Sequence, residues 1–352
     1  MVFVVFEKGL SIVKIEILDK FRYAEYEEFL LSNEHSLFYH STRYKDFLED
    51  LLGCESRYLL AYENGKIVAA LPLMIKDGPL GKVVNSLPYY GSNGGVISNN
   101  TIFTQALFNE YNRFIASSNV SSATVVENPL NLLGTPPAHN MKDQRIGQLT
   151  SIGGYKNHEE AIFKIIDGNR RNEIRRAQKH EVTVIEDNFQ IDFIRSVHQN
   201  EMKKHNRKFK TDDFFSKIHK YFEPREDFKI FIAYRENRPV AGLLMFYFNK
   251  TAEYFTPVVL EQERIHQPMS LILYHALLDA MKHNFKWFNW GGTWLTQKGV
   301  YRFKKQMGSA DYPYQYYTYI KKQGILDKSP EEILELYPDF YVFNFNKQVM
   351  TQ

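Results

Sequence analysis

Residues 301–305, Tyr-Arg-Phe-Lys-Lys, set three cations among two aromatics shortly after a Gly291-Gly292 pair. A lysine seated on an aromatic base can bind a phosphate or polarise a carbonyl. Read as a strand, the segment presents Arg302 and Lys304 on one face and Phe303 with Lys305 on the other. Arg302 and Lys304 then form a candidate anion clamp. The same lysines would also protect a sheet edge from unwanted pairing. A second basic row, Arg170, Arg171, Arg175 and Arg176, lies on one predicted helix, where Arg171 and Arg175 are four apart and Lys179 continues the row. Like charges in a row point to an anionic partner or nearby carboxylates; a solvated helix face is the plainer alternative. In "LPYYGSNGG" (87–95), Tyr89 and Tyr90 offer flat, hydrogen-bonding walls, and Gly91 lets a substrate approach the backbone. The glycines fit equally a loop that needs unusual dihedrals. Tyr44 and Lys45 in "STRYKDFL" are a further candidate pair. Asp311, Glu253 and Glu201 are candidate bases, with a bound water as the alternative.

Several reaction types lack their signatures. There is no G-x-S-x-G elbow and no G-x-x-x-x-G-K-[ST] phosphate loop. There is no H-E-x-x-H motif, and the single cysteine, Cys54, excludes an internal disulfide framework and a cysteine-based zinc site. His198 and His205 are seven apart and read as a solvated helix face rather than a metal pair. No metal is expected. Without a nucleophile motif, direct transfer between two bound substrates remains, with positioning as the main source of acceleration.

The elements that must hold these residues alternate between strand and helix signals. "SIVKIEIL" (11–18) alternates as a strand does. Asp19 is placed to cap a following helix whose apolar residues are Phe21, Ala24, Phe29 and Leu30. Residues 57–75 read as strand, Asn64-Gly65 turn and strand. A helix is expected over about 101–117, a strand over about 121–126, and irregular chain over 128–140. Helices follow at 158 onward, 189–204 and 211–222. Residues 228–248 form a second strand pair, 251–260 a strand, and 267–285 a helix with Pro268 in its first turn. "KWFNWGG" reads as a core strand that ends at its glycines. In the tail, Ser329 and Glu332 form a capping box, Pro330 takes the first helical position and Pro338 stops the helix.

The two hairpins echo each other. "AYENGKIVAALPLM" (61–74) aligns without gaps to "AYRENRPVAGLLMF" (233–246), with Ala, Tyr, Val, Ala and Leu coinciding. Each is followed by a strand or loop, a helix and another strand. This favours tandem duplication of one unit.

The stretches "SLFYHSTRYKDFLEDLLG", "SLPYYGSNGGVIS", "RRNEIRRAQKHEVTV" and "KWFNWGGTWLTQKGVYRFKKQMG" occur in that order. Together they resemble the FemAB-type branch of the GNAT acyltransferase superfamily, over about residues 35 to 320. That branch includes aminoacyl-tRNA-dependent enzymes of peptidoglycan cross-bridges and polysaccharide-associated N-acyltransferases. The resemblance implies an α/β (mixed α+β) fold of two tandem GNAT-like domains, each a mostly antiparallel sheet flanked by helices. The expected division is 1–155, on the acceptor-cleft side, and 156–352, with a helical and aromatic tail.

The resemblance implies an N-acyltransferase acting on an amine of a nucleotide-linked sugar or cell-envelope glycan precursor, without a covalent intermediate. Acyl-CoA is the expected donor and aminoacyl-tRNA the alternative; a non-catalytic glycan- or RNA-binding protein is a third reading. By this resemblance Lys304 lies in the substrate cavity with Arg302 as the second catalytic cation. Arg171 or Arg175 holds substrate phosphates, and Tyr89, Tyr90, Gly91, Tyr44, Lys45 and Lys305 contact substrate. CoA-using relatives hold pyrophosphate on a glycine-rich loop before a helix. The equivalent "RIHQPM" (264–269) has no glycine but keeps Arg264 and Gln267 as cofactor-binding candidates. The net charge of +3 implies no large nucleic-acid footprint. The start lacks a signal-peptide pattern and no apolar run reaches 18 residues, so a cytoplasmic protein without a membrane span is expected.

Overall fold

The computed structural model describes residues 2–5, 12–89, 93–132, 134–293 and 297–345. Tyr90 and Gly91 lie outside these residues. The chain forms two units: Met1–Arg145 with Pro313–Gln352, and Ile146–Tyr312.

The first unit contains β1 (Val2–Val5), β2 (Ile12–Ile17), α1 (Tyr23–Ser32), α2 (Thr42–Leu52), β3 (Glu55–Ser56), β4 (Leu59–Glu63) and β5 (Lys66–Leu71). It continues through β6 (Met74–Lys76), β7 (Lys82–Asn85), β8 (Ile97–Ser98), α3 (Thr101–Ser117) and β9 (Val120–Val126). β10 (Met141–Ser151) leads into the second unit: α4 (His158–Ile165), α5 (Gly168–Lys179), β11 (Thr183–Glu186), α6 (Ile191–Lys204) and α7 (Asp212–Tyr221). Then come β12 (Phe228–Arg235), β13 (Arg238–Phe248), β14 (Thr251–Val259), α8 (Pro268–Lys282), β15 (Trp287–Thr293) and α9 (Lys298–Gln306). β16 (Ala310–Ile320) returns to the first unit, followed by α10 (Pro330–Leu336).

Whereas the expected division was a single cut after residue 155, the tail belongs to the first unit. Tyr316–Ile320 of β16 pairs antiparallel with Val126–Ser122 of β9. The Tyr337 hydroxyl donates to the Gly81 carbonyl at 2.7 Å, and Asn85 Nδ2 donates to the Tyr341 carbonyl at 2.7 Å.

The hairpin echo is a structural repeat. Ala61 faces Ala69 and Ala233 faces Ala241; Tyr62 faces Ile67 and Tyr234 faces Pro239. The register slips at the same step in both, between Ala61 and Tyr62 and between Ala233 and Tyr234. A bulge changes which face each later side chain takes, so its repetition is a more specific mark of shared descent than the five identities. Each unit also joins one parallel strand pair through a helix: β7 and β9 around α3, and β14 and β15 around α8.

The helices bury their apolar faces on these sheets. α8 sends Leu271, Ile272, Leu273, Ala276 and Leu277 into the second unit's core, beside Phe288 and Trp290 of β15. α3 does the same in the first unit with Ala106, Leu107, Phe108 and Tyr111. Full burial of one such large side chain stabilises by about 1.5–3 kcal/mol.

Three local expectations are corrected. Residues 301–305 are not a strand; they lie within α9. The deciding pattern is Phe303, Lys304 and Met307, a helical spacing of buried or half-buried positions. Arg302 and Lys304 are therefore on different faces, the former exposed and the latter buried. Asp19 makes no side-chain cap, and α1 buries Tyr26 and Leu30 while Phe21 is fully exposed. β10 was not expected; its polar-rich "MKDQRIGQLTS" shows weak alternation, yet six of its residues are buried. No described helix is long and apolar enough to cross a membrane.

Candidate functional site

In the second unit, β14 and β15 pair in parallel only at Thr251–Trp287, Ala252–Phe288 and Glu253–Asn289. β14 runs on to Val259 beyond that pairing, and a bulge against β13 falls at Tyr254–Thr256. A cavity of about 540 Å³ opens there. Tyr254, Pro257, Val258 and Val259 of β14 form one wall, and Val197, His198, Glu201 and Met202 of α6 another. The turn before α8 and its start contribute Arg264, Gln267, Pro268 and Met269, and α9 contributes Phe303. A mostly apolar slot with a few polar groups is what a small-molecule site requires.

Both sequence-predicted cofactor residues line this cavity. Gln267 adopts φ +57 before the first turn of α8, and Pro268 fills the first helical position. Proline has no N–H, so this helix start offers an anion one donor fewer than usual. Arg264 supplies a side-chain cation, held by an ion pair with Glu201 across the cavity. His198 accepts from the Lys210 backbone N–H at 3.1 Å. Burial, then the Lys210 charge, lowers its pKa to about 4, so the ring is neutral near pH 7. Burial also lowers Lys210 to about 8; its ammonium lies 5.0 Å from the Phe255 ring centre and 5.8 Å from Phe214. Burial holds the Tyr254 phenol protonated, as a hydrogen-bond donor.

Phe303 is fixed from behind. Its ring packs edge-on to Trp290, and the Arg170 guanidinium sits 4.9 Å from its centre. Arg170 donates to Gln306 Oε1 at 2.8 and 3.2 Å and to Glu173 at 2.5 Å. Glu173 also accepts from Ser270 Oγ at 2.6 Å. This network ties α5, α9 and the first turn of α8 around the cavity. Arg170, singled out only as part of a basic row, is the residue that joins them. Its sequence signal was Glu173 three residues later and the distant aromatic Phe303, which no local rule connects.

The rest of that row faces elsewhere. Arg171 donates to the Phe163 carbonyl at 2.7 Å, and exposed Arg175 donates to Asn172 at 3.1 Å. Lys304 is buried, and its ammonium donates to Thr293 Oγ1 at 2.8 Å and to the Gly292 and Gly291 carbonyls at 3.3 and 3.4 Å. Burial lowers its pKa to about 8. Lys305 is exposed and pairs with Asp311 at 3.5 Å.

In the first unit, Tyr44 is buried within Phe38, Tyr39 and Phe47. Lys45 is buried and donates to Tyr23, Asp46 and Glu49 at 2.8–3.0 Å. Tyr89 is half-buried in the left-handed region at φ +82, with its N–H bonded to the Asp339 carbonyl. A tyrosine held there stores strain, as backbone at binding sites often does.

Residues 168–305, most of the second unit, match the acetyltransferase (GNAT) domain family. No curated protein matches the chain. The fold is similar to FemX, with a TM-score of 0.68 and 11% identity over 89% of this chain and 99% of that one. It is also similar to a conserved protein of unknown function from Bacteroides thetaiotaomicron, with a TM-score of 0.57 and 10% identity over 88% and 100%. The C-terminal domain of a putative lysylphosphatidylglycerol synthetase from Agrobacterium fabrum aligns with a TM-score of 0.53 and 10% identity over 92% and 98%. Residues 168–305 thus match a GNAT domain, within a chain whose fold is similar to that of FemX.

Proposed function

We propose that this protein transfers an activated acyl group directly to an amine, with the acyl donor seated in the cavity of the second unit. The carrying observation is the apolar slot at the end of the β14–β15 pairing, rimmed by Arg264 and Gln267. The acyl chain packs on Val258, Val259, Met269 and Phe303, while the activating group lies toward the helix start. With an acyl-CoA donor, the amine nitrogen bonds to the carbonyl carbon as the C–S bond breaks. The thiolate leaves with its carrier, and the amine loses a proton to solvent. The acceptor is an amine on a nucleotide-linked sugar or glycan precursor. Exposed Arg302 and Arg175 are cations available to its phosphates. Lys304 acts from within, holding the Gly291–Thr293 strand end in shape by its three bonds.

An aminoacyl-tRNA donor is the second reading. Pro268 favours it, because the helix start lacks one pyrophosphate-binding N–H.

The test is a melting-temperature screen of the full chain with acyl-CoAs, nucleotide sugars and charged tRNA. A true donor at a hundred times its dissociation constant adds about 2.7 kcal/mol to folding. Met269→Trp, which fills the slot, should abolish the acyl-CoA response and keep the nucleotide-sugar response. A chain silent to every acyl-CoA yet stabilised by charged tRNA would replace the first reading with the second.

A further inference from the structure

The α6 wall of the cavity carries an imidazole whose proton position is fixed by its neighbours. His198, read from the sequence as part of a solvated face, is half-buried and lines the cavity. Its Nε2 accepts from the Lys210 backbone N–H at 3.1 Å. A backbone N–H can only donate, so Nε2 holds a lone pair and the neutral ring keeps its proton on Nδ1. His198 therefore has an N–H donor to offer and no free acceptor. Nδ1 has no hydrogen-bond partner among the described residues. The ring is set edge-on to Phe215, with centroids 6.0 Å apart.

Tyr254 lines the same cavity from β14. Its ring packs on Trp290 at 5.1 Å, and its hydroxyl has no hydrogen-bond partner among the described residues. Burial alone raises this phenol, with no hydrogen bond contributing. Glu201, the carboxylate of the lining, is already engaged: it pairs with Arg264 and lies 3.3 Å from His205 Nε2. The slot thus sets two neutral donors among Val197, Val258, Met269 and Phe303. A ligand of hydrocarbon alone would strip water from both donors and return nothing, and leaving a donor unmade costs more than making it gains. An ammonium only donates, so it would meet the His198 N–H donor to donor. A ligand oxygen satisfies both groups. A site built to hydrogen-bond its substrate rejects an analogue lacking that group far more strongly than an apolar pocket rejects an extra methyl.

We propose that His198 and Tyr254 select an acyl group carrying an acceptor oxygen on its chain, over a plain alkyl chain or an amino-bearing one. The proposal rests on the donor-cavity reading above and names the acyl class for it. A 3-oxoacyl group is the simplest member, because its ketone accepts and cannot donate.

The experiment titrates the full chain with 3-oxobutanoyl-CoA, 3-methylbutanoyl-CoA and 3-aminobutanoyl-CoA, with no acceptor amine present. The three esters share one carrier, so its own contacts cancel in their ratios. Wild type should bind the oxo ester about tenfold tighter than the methyl ester, equivalent to about 1.4 kcal/mol, and the amino ester weakest. His198→Phe should bring the oxo-to-methyl ratio close to one, weakening the oxo ester and tightening the methyl ester. His198→Asn, whose amide donor falls near the place of Nδ1, should restore most of the ratio. Tyr254→Phe removes a hydroxyl that bonds nothing in the protein, so it keeps the test open if His198→Phe does not fold; it should lower the ratio about threefold. Equal affinity of wild type for the oxo and methyl esters overturns the proposal, as does a ratio that neither His198→Phe nor Tyr254→Phe changes. Tightest binding of the amino ester also overturns it, in favour of an aminoacyl donor. Hexan-2-one, observed by saturation-transfer NMR, separates this proposal from the donor-cavity reading. If no CoA ester binds, yet hexan-2-one binds wild type and not His198→Phe, the acyl-donor reading fails and the hydrogen-bonding pair stands. If neither the esters nor hexan-2-one bind, both fall.

Discussion

Two lysines, one in each unit, are buried to the same 5%, and their surroundings push them in opposite directions. Burial alone would lower both. Around Lys45, the hydrogen bonds its ammonium donates to Tyr23, Glu49 and Asp46 outweigh it and hold the ammonium charged well above the usual range. Around Lys304, the partners are one hydroxyl and two backbone carbonyls, none of them charged, so burial prevails and its pKa falls to about 8. The difference teaches that burial of a lysine is not itself a functional mark; the charge of what surrounds it decides. Lys45 is a neutralised structural ion. Lys304 is a costly charge kept where the strand end of the GNAT domain needs three donors.

The comparison can be broken most strongly at Lys45. Lys45→Met leaves two half-buried carboxylates without their cation. We expect a loss of about 3 kcal/mol in urea unfolding, the low end for a broken buried pair. A loss below 1 kcal/mol would show that the carboxylates are solvated enough to need no partner.

The next effect is in pH dependence. Lys304 binds its proton up to about pH 8 when folded and up to 10.5 when unfolded. Between those values the unfolded chain carries more protons, so stability rises with pH, by on the order of 3 kcal/mol for this group. Lys210 has a similarly lowered pKa and adds the same sign. Lys304→Met should therefore remove about half of the alkaline rise and leave the rest to Lys210. Lys45 is raised, so its stabilisation is fully present below 10.5 and lost as pH rises from there through its folded value. Lys45→Met should leave the slope between pH 8 and 10.5 unchanged. A slope unaltered by Lys304→Met would refute the reading of Lys304 as a burial-strained charge.

Smaller effects refine the strand end. Gly291 sits at φ +73 with open space where a Cβ would go. Gly291→Ala should cost only about 1 kcal/mol, from the left-handed backbone and not from a clash. Arg302→Ala, at an exposed position, should change stability by no more than about 0.5 kcal/mol. Any larger loss of turnover would then report contact with substrate.

Much of the fold was legible because local rules acted alone. The helix expected over about 101–117 is α3, Thr101–Ser117, and Asn100 caps it. Ser329 and Glu332 form the expected capping box. The hairpin echo was readable because matching residues share a register as well as a type. The candidate site was only partly legible. Arg264 and Gln267 were found through their place before α8, and both line the cavity. The α6 wall was missed, since Val197 and Met202 look like any apolar helix face. Residues 301–305 were misread because a five-residue window of alternating aromatics and cations fits period two, whereas Met307 completes the helical spacing.

The sequence by itself determined most of the strand-and-helix order, the repeat and the chemical poverty of the nucleophiles, because those depend on periodicity, turn chemistry and residue type. Tertiary structure alone decided which cation was buried and which was exposed. Arg170, Lys304 and Arg302 are similar in sequence, yet they became a cross-element tie, an internal pin and a surface charge. Their surroundings come from α8, β15 and α9, segments brought together only when the sheet buries its apolar face. Electrostatic character depends on those neighbours and on distance from water, and neither is written in the local sequence.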